Sequence, residues 1–262
     1  MIEKLGVQAY SFREYYSGEK ADEKVLDATF RMIKEIGYDQ IQTAGFGEIG
    51  IEKYTELAHT SGLEIIGTHW DFDDLMKNTD DVMKAHSEIL KTNIIGIGAM
   101  PRYAFEKEGL LKFISEFNVL GEKLKKYGFK LTYHNHHFEF AKIDETKTIM
   151  DYFYEELDPE AITFCLDTYW VQRGGGNPTT WVEKLAGRID ILHLKDMAVE
   201  NTENGTEAFM TEVGYGNIDF DSIINAAQKG GVKYYCVEQD DCPGNPIDSL
   251  KKSADFVRKK YM

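Results

Sequence analysis

The sequence of 262 residues predicts an α/β protein, a (β/α)8 TIM barrel that forms a single domain over residues 1–262. Short apolar runs alternate with helical patterns, about eight such units are present, and their total length suits a barrel. An open doubly wound sheet is the alternative, and it usually carries a glycine-rich turn after its first strand. The segment QAYSFREYYSGEK follows the first run and offers no such turn, which favours the barrel.

Eight apolar runs are predicted to form the strands of a parallel sheet that is buried on both faces. In chain order they are KLGVQAYS, YDQIQTAG, LEIIGTHW, NIIGIGAM, FKLTYHNH, ITFCLDTYW, IDILHLKD and VKYYCVEQD. Catalytic groups in such a barrel lie at the C-terminal ends of the strands. We therefore expect the functional residues among the polar and aromatic side chains that end these runs.

Helical patterns lie between the runs, and three of them are clear. They span about Asp22 to Ile36, about Glu106 to Tyr127, and from near Asp248 to the end of the chain. In the first, helical spacing places four residues on one face: Val25, Thr29, Met32 and Ile36.

The charge of the chain limits its partners. The net charge is −15, whereas binding to nucleic acid or to an anionic membrane requires basic surface, so neither partner is expected. The sequence contains no signal-peptide pattern and no apolar run of roughly 20 residues. Its three cysteines form no CxxC pair. These features predict a cytoplasmic protein with reduced thiols. A homo-oligomer is compatible with the sequence, which does not decide the assembly state.

Imidazole and carboxylate side chains end four successive predicted strands, the fifth to the eighth. In chain order they are His134, His136, Glu139, Asp167, His193 and Glu238. Because the C-terminal ends of barrel strands meet at one rim, we expect these side chains to converge. A mixed nitrogen and oxygen ligand set suits one divalent metal ion, and Mn, Co, Zn and Mg are all candidates.

Each of these residues also has an ordinary structural explanation. An Asp at a strand end commonly caps the next helix, and a buried His commonly satisfies a hydrogen bond in the core. The recurrence on consecutive strands favours a shared metal or acid–base site. Within the fifth run, strand alternation predicts that His134 and His136 face the barrel mouth and that His137 points away.

Several motifs resemble those of the sugar phosphate isomerase/epimerase family, within the xylose-isomerase-like barrel superfamily: YHNHHFEF, CLDTYWVQRGG, HLKDM, EVGYGNIDF and VEQD. The resemblance runs from GVQAYSFRE through GTHW to VEQD, which is nearly the whole chain. It implies one divalent metal held by Glu, Asp, His and Glu on strands five to eight. Asp167, His193 and Glu238 match the last three ligands. His134 stands near the expected first Glu, so the first ligand is either His134 or Glu139.

This departure bears on the mechanism, because the ketose epimerases of the family use both metal-bound glutamates to move the proton. Glu238 is the first candidate base, with Glu139 or His136 as its counterpart. Lys195 is expected as a cation beside the developing oxyanion, and a salt bridge to Asp196 is the structural alternative.

Substrate contacts are predicted at the barrel mouth, at Tyr10, His69, Trp70, Trp170 and Arg173. The aromatic rings would stack on the apolar face of a sugar and His69 would bind its hydroxyl groups, while packing of the mouth is the alternative explanation. Trp170 stands where several relatives carry a His, so no second metal ligand is expected there. The stretch RGGGNP, which starts at Arg173, lacks the Gly-Lys-Ser/Thr of a phosphate loop.

The leading prediction is a metal-dependent isomerase or epimerase that acts on a small carbohydrate, a sugar or keto-sugar. It would transfer a proton next to a carbonyl through a metal-stabilised enolate. The first alternative is a lyase or dehydratase of the inosose or keto-glycoside type. A non-catalytic sugar-binding barrel and an abasic-site endonuclease are less favoured. The charge of −15 and the missing histidine on strand six argue against the endonuclease.

Overall fold

Eight parallel strands close into a barrel in the computed structural model, which describes residues 1–18, 21–203 and 205–262. The barrel strands are β1 Gly6–Gln8, β2 Gln40–Ala44, β3 Glu64–Trp70, β4 Ile94–Ile97, β5 Lys130–His134, β6 Ile162–Asp167, β7 Ile189–Leu194 and β10 Tyr234–Val237. β1 pairs in parallel with both β10 and β2, so the sheet has no free edge. The predicted (β/α)8 TIM barrel is confirmed.

Helices surround the barrel. The α-helices of the described residues are α1 Glu23–Glu35, α2 Ile51–Thr60, α3 Phe72–Lys77, α4 Thr79–Ala85, α5 Lys107–Lys126, α6 Ile149–Glu156, α7 Thr168–Arg173, α8 Pro178–Lys184, α9 Phe220–Lys229 and α10 Pro246–Tyr261. A π-helical turn, His86–Leu90, continues α4, and 3-10 turns lie at Ala9–Tyr15, Gly47–Ile49, Arg102–Phe105 and Phe138–Phe140. Within the described ranges, no helix combines the length and the apolar character that crossing a bilayer requires.

The first helix forms where it is predicted but buries a different face. Asp22 caps α1 by accepting a hydrogen bond from the backbone N–H of Val25. The helix buries Leu26, Thr29, Phe30 and Ile33. Of the predicted face, Thr29 is buried and Ile36 packs against the core, but Val25 and Met32 are exposed, so the predicted face is wrong at these two positions.

The last helix begins earlier than its predicted start near Asp248. Its N-cap is Asn245, whose side chain accepts from the backbone N–H of Ile247, and Pro246 occupies the first turn. Proline suits this position because its fixed φ is already helical and its missing N–H needs no partner. The predicted start is therefore wrong by about half a turn.

The core has an outer and an inner part. The outer part fills the space between the strands and the helices. The inner part is a small plug inside the barrel, made of Ile66, Ile94, Cys165, Ile191 and Cys236. Cys165 precedes Asp167 by two residues on β6, so the plug lies directly beneath the strand ends. Polar side chains at those ends therefore rest on an apolar floor.

An antiparallel hairpin interrupts the βα alternation after β7 and was not predicted. Its strands are β8 Asp196–Thr202 and β9 Gly205–Thr211, which pair with each other and not with the barrel. The chain returns from this hairpin into α9 and the last barrel strand.

Candidate metal centre and active-site cavity

Four ionisable side chains meet at the C-terminal rim of the barrel. His134 ends β5, Asp167 ends β6, His193 lies in β7, and Glu238 follows β10 directly. One ligand atom from each lies within 4.8 Å of the others, and all four residues are buried. The strand register causes this convergence, because β6 pairs Asp167 with His193 of the neighbouring strand.

The atoms that face one another are ring nitrogens and carboxylate oxygens. Nδ1 of His193 lies 2.9 Å from Oε2 of Glu238 and 3.7 Å from Oδ2 of Asp167. Nε2 of His134 lies 3.7 Å from the same Asp167 oxygen and 3.9 Å from the same Glu238 oxygen. These distances leave a small space that every one of the four atoms borders.

Three of these buried atoms make no well-aligned hydrogen bond to any described residue: Nε2 of His134, Oδ2 of Asp167 and Nδ1 of His193, although the last lies close to Glu238. A buried polar atom without a partner is destabilising, and most such atoms in folded proteins are satisfied. A cation among them would satisfy all three at once. The residues present therefore fit a divalent metal ion, with two imidazoles and two carboxylates as its ligands.

The other nitrogen of each imidazole is held by the surrounding barrel. Nδ1 of His134 lies 3.0 Å from the carbonyl oxygen of Gly98 and therefore donates to it. Nε2 of His193 lies 2.6 Å from Oε1 of Gln42. Both contacts leave the nitrogen that faces the cluster free of a proton in the neutral ring, as a metal ligand requires.

Asp167 both caps a helix and contributes an oxygen atom to the cluster. Its Oδ1 caps α7 by accepting the backbone N–H of Trp170 at 2.8 Å, while its Oδ2 faces the cluster. Burial alone would raise the pKa of Asp167, but the ammonium of Lys195 lowers it to about 2. Asp167 is therefore ionised at neutral pH.

Lys195 is fully buried beside the cluster. Its Nζ lies 2.7 Å from Oδ2 of Asp240, 3.3 Å from Oε2 of Glu238 and 3.6 Å from Oδ2 of Asp167. Burial would lower the pKa of this ammonium, but the three carboxylates raise it above its usual value, so it stays charged. Asp196 accepts backbone amides instead, so the alternative salt bridge between Lys195 and Asp196 is wrong.

The two other carboxylates beside Lys195 have opposite pKa shifts. Burial would raise the pKa of Glu238, but Lys195 and His193 lower it well below its usual value. Burial and the neighbouring charge of Glu238 raise the pKa of Asp240 to about 6. Glu238 is thus the carboxylate that stays ionised, and Asp240 is the one that gains a proton more readily.

A cavity of about 710 Å³ opens above the cluster. Four of the five predicted substrate-binding residues line it: Tyr10, His69, Trp70 and Trp170. The ring of Trp170 also lies under Lys195, whose Nζ is 4.9 Å from the ring centroid. Arg173 is exposed at the end of α7 and does not line the cavity.

The segment after β5 divides its polar residues between two environments. β5 ends at His134, so strand alternation does not extend to the two later histidines. His136 lines the cavity, its Nδ1 is buried without a described partner, and burial lowers its pKa to about 3. His137 is exposed and stacks on Trp170 with 5.1 Å between ring centroids. His136 is therefore a neutral imidazole in the cavity, and His137 covers the tryptophan.

Glu139 is buried away from the cluster. One carboxylate oxygen accepts the hydroxyl of Tyr133 at 2.5 Å, and the other accepts the backbone N–H of His136 at 2.8 Å. Burial raises the pKa of Glu139 to about 7. Of the two candidate first ligands, the structure brings His134 to the cluster and leaves Glu139 to hold the His136 segment.

A sequence profile of the xylose isomerase-like TIM barrel family matches residues 30–260. This chain belongs to that family. Inosose dehydratase from Clostridium beijerinckii is 25% identical over 173 residues, which cover 61% of this chain and 57% of that enzyme. The match thus spans less than two thirds of the curated relative.

Solved structures share the fold of this xylose isomerase-like barrel. A sugar phosphate isomerase/epimerase from Parabacteroides distasonis superposes with a TM-score of 0.80 at 22% identity, covering 100% of this chain and 96% of the other. A xylose isomerase-like TIM barrel protein from Mycobacterium smegmatis, in complex with magnesium, has a TM-score of 0.72 at 14% identity, with coverages of 98% and 95%.

Sequence reasoning missed several residues that support the site of this xylose isomerase-like barrel. His86, from the π-helical turn, accepts from Nε1 of Trp70 at 3.3 Å, and its Nδ1 lies 3.1 Å from the carbonyl oxygen of Thr92. Burial lowers the pKa of His86 to about 4, so the ring is neutral and can accept this bond. Gln42 and the carbonyl of Gly98 hold the two histidines of the cluster. No local motif marks these residues, because each acts on a distant part of the chain.

Proposed function

We propose that this protein is a divalent-metal-dependent isomerase or epimerase that acts on a sugar or keto-sugar by proton transfer next to a carbonyl. The observation that carries the proposal is the set of unsatisfied buried ligand atoms on His134, Asp167 and His193. Their cluster borders the cavity through His134 and Glu238. A divalent ion at this position would supply positive charge that stabilises the negative charge developing on a carbonyl oxygen. Mn, Co, Zn and Mg all suit this ligand set.

The charged residues around the floor suit proton transfer. Glu238 is ionised, lines the cavity and is our candidate base. Lys195 presents a fixed positive charge next to it, which favours an oxyanion over a neutral carbonyl. His136 is a neutral imidazole on the same cavity, and its free nitrogen can accept a proton as the counterpart of Glu238.

The cavity walls suit a small carbohydrate. Tyr10, Trp70 and Trp170 provide aromatic faces on which the apolar side of a sugar can pack. The name of the Parabacteroides distasonis protein supports isomerase or epimerase chemistry. The magnesium in the Mycobacterium smegmatis structure supports a divalent metal. We also propose a cytoplasmic location.

A lyase is the second candidate. The curated relative is an inosose dehydratase, which supports elimination of water from a cyclic keto-sugar. The same base would remove the proton next to the carbonyl, and the proton that it gains can pass to the leaving hydroxyl, which departs as water. The two candidates therefore differ in the fate of a neighbouring hydroxyl and not in the first proton transfer.

Solvent deuterium exchange separates these possibilities. The metal-loaded protein is incubated in D2O with a panel of ketoses, inososes and keto-glycosides, and each product is analysed by NMR and mass spectrometry. Deuterium next to the carbonyl with all hydroxyls retained supports the isomerase or epimerase. Deuterium with loss of water or of an aglycone supports the lyase. Absence of exchange across the whole panel contradicts both.

A further inference from the structure

A buried side chain beneath the candidate metal centre contacts two histidines at once. Gln42 lies on β2 and is completely buried. Its Oε1 lies 2.6 Å from Nε2 of His193, and its Nε2 lies 2.9 Å from Nε2 of His69. Cys165 flanks the same amide, with its Sγ 3.7 Å from Nε2 of Gln42. One amide therefore joins a candidate metal ligand to a residue of the cavity wall.

The two ends of an amide group are chemically different. The carbonyl oxygen only accepts hydrogen bonds, and the NH2 group only donates them. Facing the oxygen, Nε2 of His193 must carry a proton, and in the neutral ring Nδ1 then offers a lone pair to the cluster. Facing the NH2 group, Nε2 of His69 must be the acceptor, so a neutral His69 carries its proton on Nδ1.

The second nitrogen of His69 has room to reach a ligand. His69 lines the cavity, and Gly98 lies beside its Nδ1. A Cβ atom at Gly98 would stand 3.6 Å from that nitrogen, so the missing side chain leaves this edge of the ring uncovered. The proton on Nδ1 thus points to a place where a hydroxyl or carbonyl oxygen can accept it.

We propose that Gln42 is a positioning residue that fixes the tautomers of His193 and His69 together. It makes His193 a metal ligand through Nδ1 and makes His69 a hydrogen-bond donor to the substrate through Nδ1–H. The tautomer assignment stands on the geometry alone, whereas the substrate contact of His69 rests on the proposed function.

Nitrogen-15 NMR of histidine tests this assignment without any substrate. In the full-length metal-free protein, long-range correlations report which ring nitrogen of neutral His69 carries the proton. We expect the proton on Nδ1 in the wild type. In Gln42→Met, which keeps the side-chain volume but removes the amide, we expect this single tautomer to be lost.

Zinc binding gives a second readout on the same samples. Loading with zinc is expected to place the metal on Nδ1 of His193, and Gln42→Met should weaken zinc binding by about 10- to 100-fold, as other changes next to a metal ligand do. The matched control is Gln40→Met on the same strand, because Gln40 is also buried but donates to Glu64 instead. The control should keep both the His69 tautomer and the zinc affinity.

A proton on Nε2 of His69 in the wild type would overturn the proposal, and this result does not depend on any variant folding. A wild-type tautomer and zinc affinity in folded Gln42→Met would overturn it as well. A failure of the deuterium-exchange panel would contradict the proposed function but leave these results unchanged. The two proposals can therefore fail separately.

Discussion

Two buried aspartates at neighbouring strand ends, Asp167 and Asp196, have very different surroundings. Both side chains are completely inaccessible to solvent. Asp196, at the base of the β8–β9 hairpin, accepts the backbone N–H groups of four residues, at 2.8 to 3.2 Å: Met197, Gly214, Gly216 and Ile218. Asp167 accepts one amide, and its second oxygen accepts no hydrogen bond from any described residue.

The comparison teaches how to separate a structural carboxylate from a functional one. Burial is the same for both, so burial does not distinguish them. The number of satisfied oxygens does, because most buried polar atoms in folded proteins have a hydrogen-bond partner, so an unsatisfied oxygen within a cluster of other ligand atoms indicates a site for a ligand. Glu139 belongs with Asp196 by this criterion, since both of its oxygens accept hydrogen bonds.

The largest expected effect is on turnover, at the cluster. Glu238→Gln keeps the side-chain size but removes the proposed base, so we expect kcat to fall by about 10²- to 10⁴-fold. Thermal unfolding should change little. The control is Glu212→Gln, because Glu212 is a buried carboxylate already bound by Lys252 and Ser249. Equal turnover in Glu238→Gln and wild type would remove Glu238 from the mechanism.

Removing the unsatisfied oxygen should weaken metal binding. Asp167→Asn retains an oxygen that can cap α7 but loses the carboxylate charge at the cluster. Isothermal titration with zinc should show a loss of affinity of more than roughly 100-fold. Substitutions beside a metal ligand cost up to about that much, and Asp167 is itself a candidate ligand. The free energy of unfolding of the metal-free protein should stay within about 1 kcal/mol, because asparagine is a good N-cap. Unchanged zinc affinity would contradict the metal centre.

At the base of the β8–β9 hairpin, replacement of the buried carboxylate should lower the stability of the fold and leave metal binding unchanged. Asp196→Ala leaves four backbone N–H groups without their acceptor, so the free energy of unfolding should fall by about 3 kcal/mol. Gly216→Ala is a second probe, since its Cβ would lie 2.4 Å from Oδ1 of Asp196. Chemical denaturation measures both variants. Full stability in both would show that the hairpin base does not depend on this carboxylate.

Glu139 predicts a pH dependence of stability. Its pKa is raised by burial from 4.5 in the unfolded chain to about 7 in the folded protein. The folded state therefore keeps this proton when the unfolded state has lost it, and the contribution to stability declines as pH rises from 4.5 to about 7. We expect this decline, about 3 kcal/mol in total, in wild type relative to Glu139→Gln. Parallel stability curves for the two proteins would contradict it.

The smallest effect is expected at Arg173, which the sequence places among the substrate-binding residues but the structure leaves outside the cavity. Arg173→Ala should keep kcat/KM within about twofold of wild type, as for most surface substitutions. Trp170→Ala is the contrast, because this residue lines the cavity, and KM should rise about tenfold. Equal effects of the two substitutions would contradict the assignment of Trp170 to the wall of the substrate cavity and of Arg173 to the surface outside it.

The sequence by itself determined the barrel and the strand ends that carry the site. Apolar runs alternate with helical patterns, and both signals are local, so they can be read without tertiary information. Asp167, His193 and Glu238 could be placed at one rim because parallel strands bring their C-terminal ends together. The same local patterns did not predict the buried face of α1 correctly. Helical periodicity shows that a segment is helical, but it indicates less clearly which side of the helix packs against the barrel.

Only the tertiary structure decided how the side chains pair across the barrel. Gln42 contacts His193, which lies 151 positions away along the chain. Lys195 forms an ion pair with Asp240 and not with its sequence neighbour Asp196. Such pairings depend on strand register and side-chain direction, which the local pattern does not contain. The choice of His134 over Glu139 at the cluster has the same origin, since the chain turns after β5 and Tyr133 binds the glutamate.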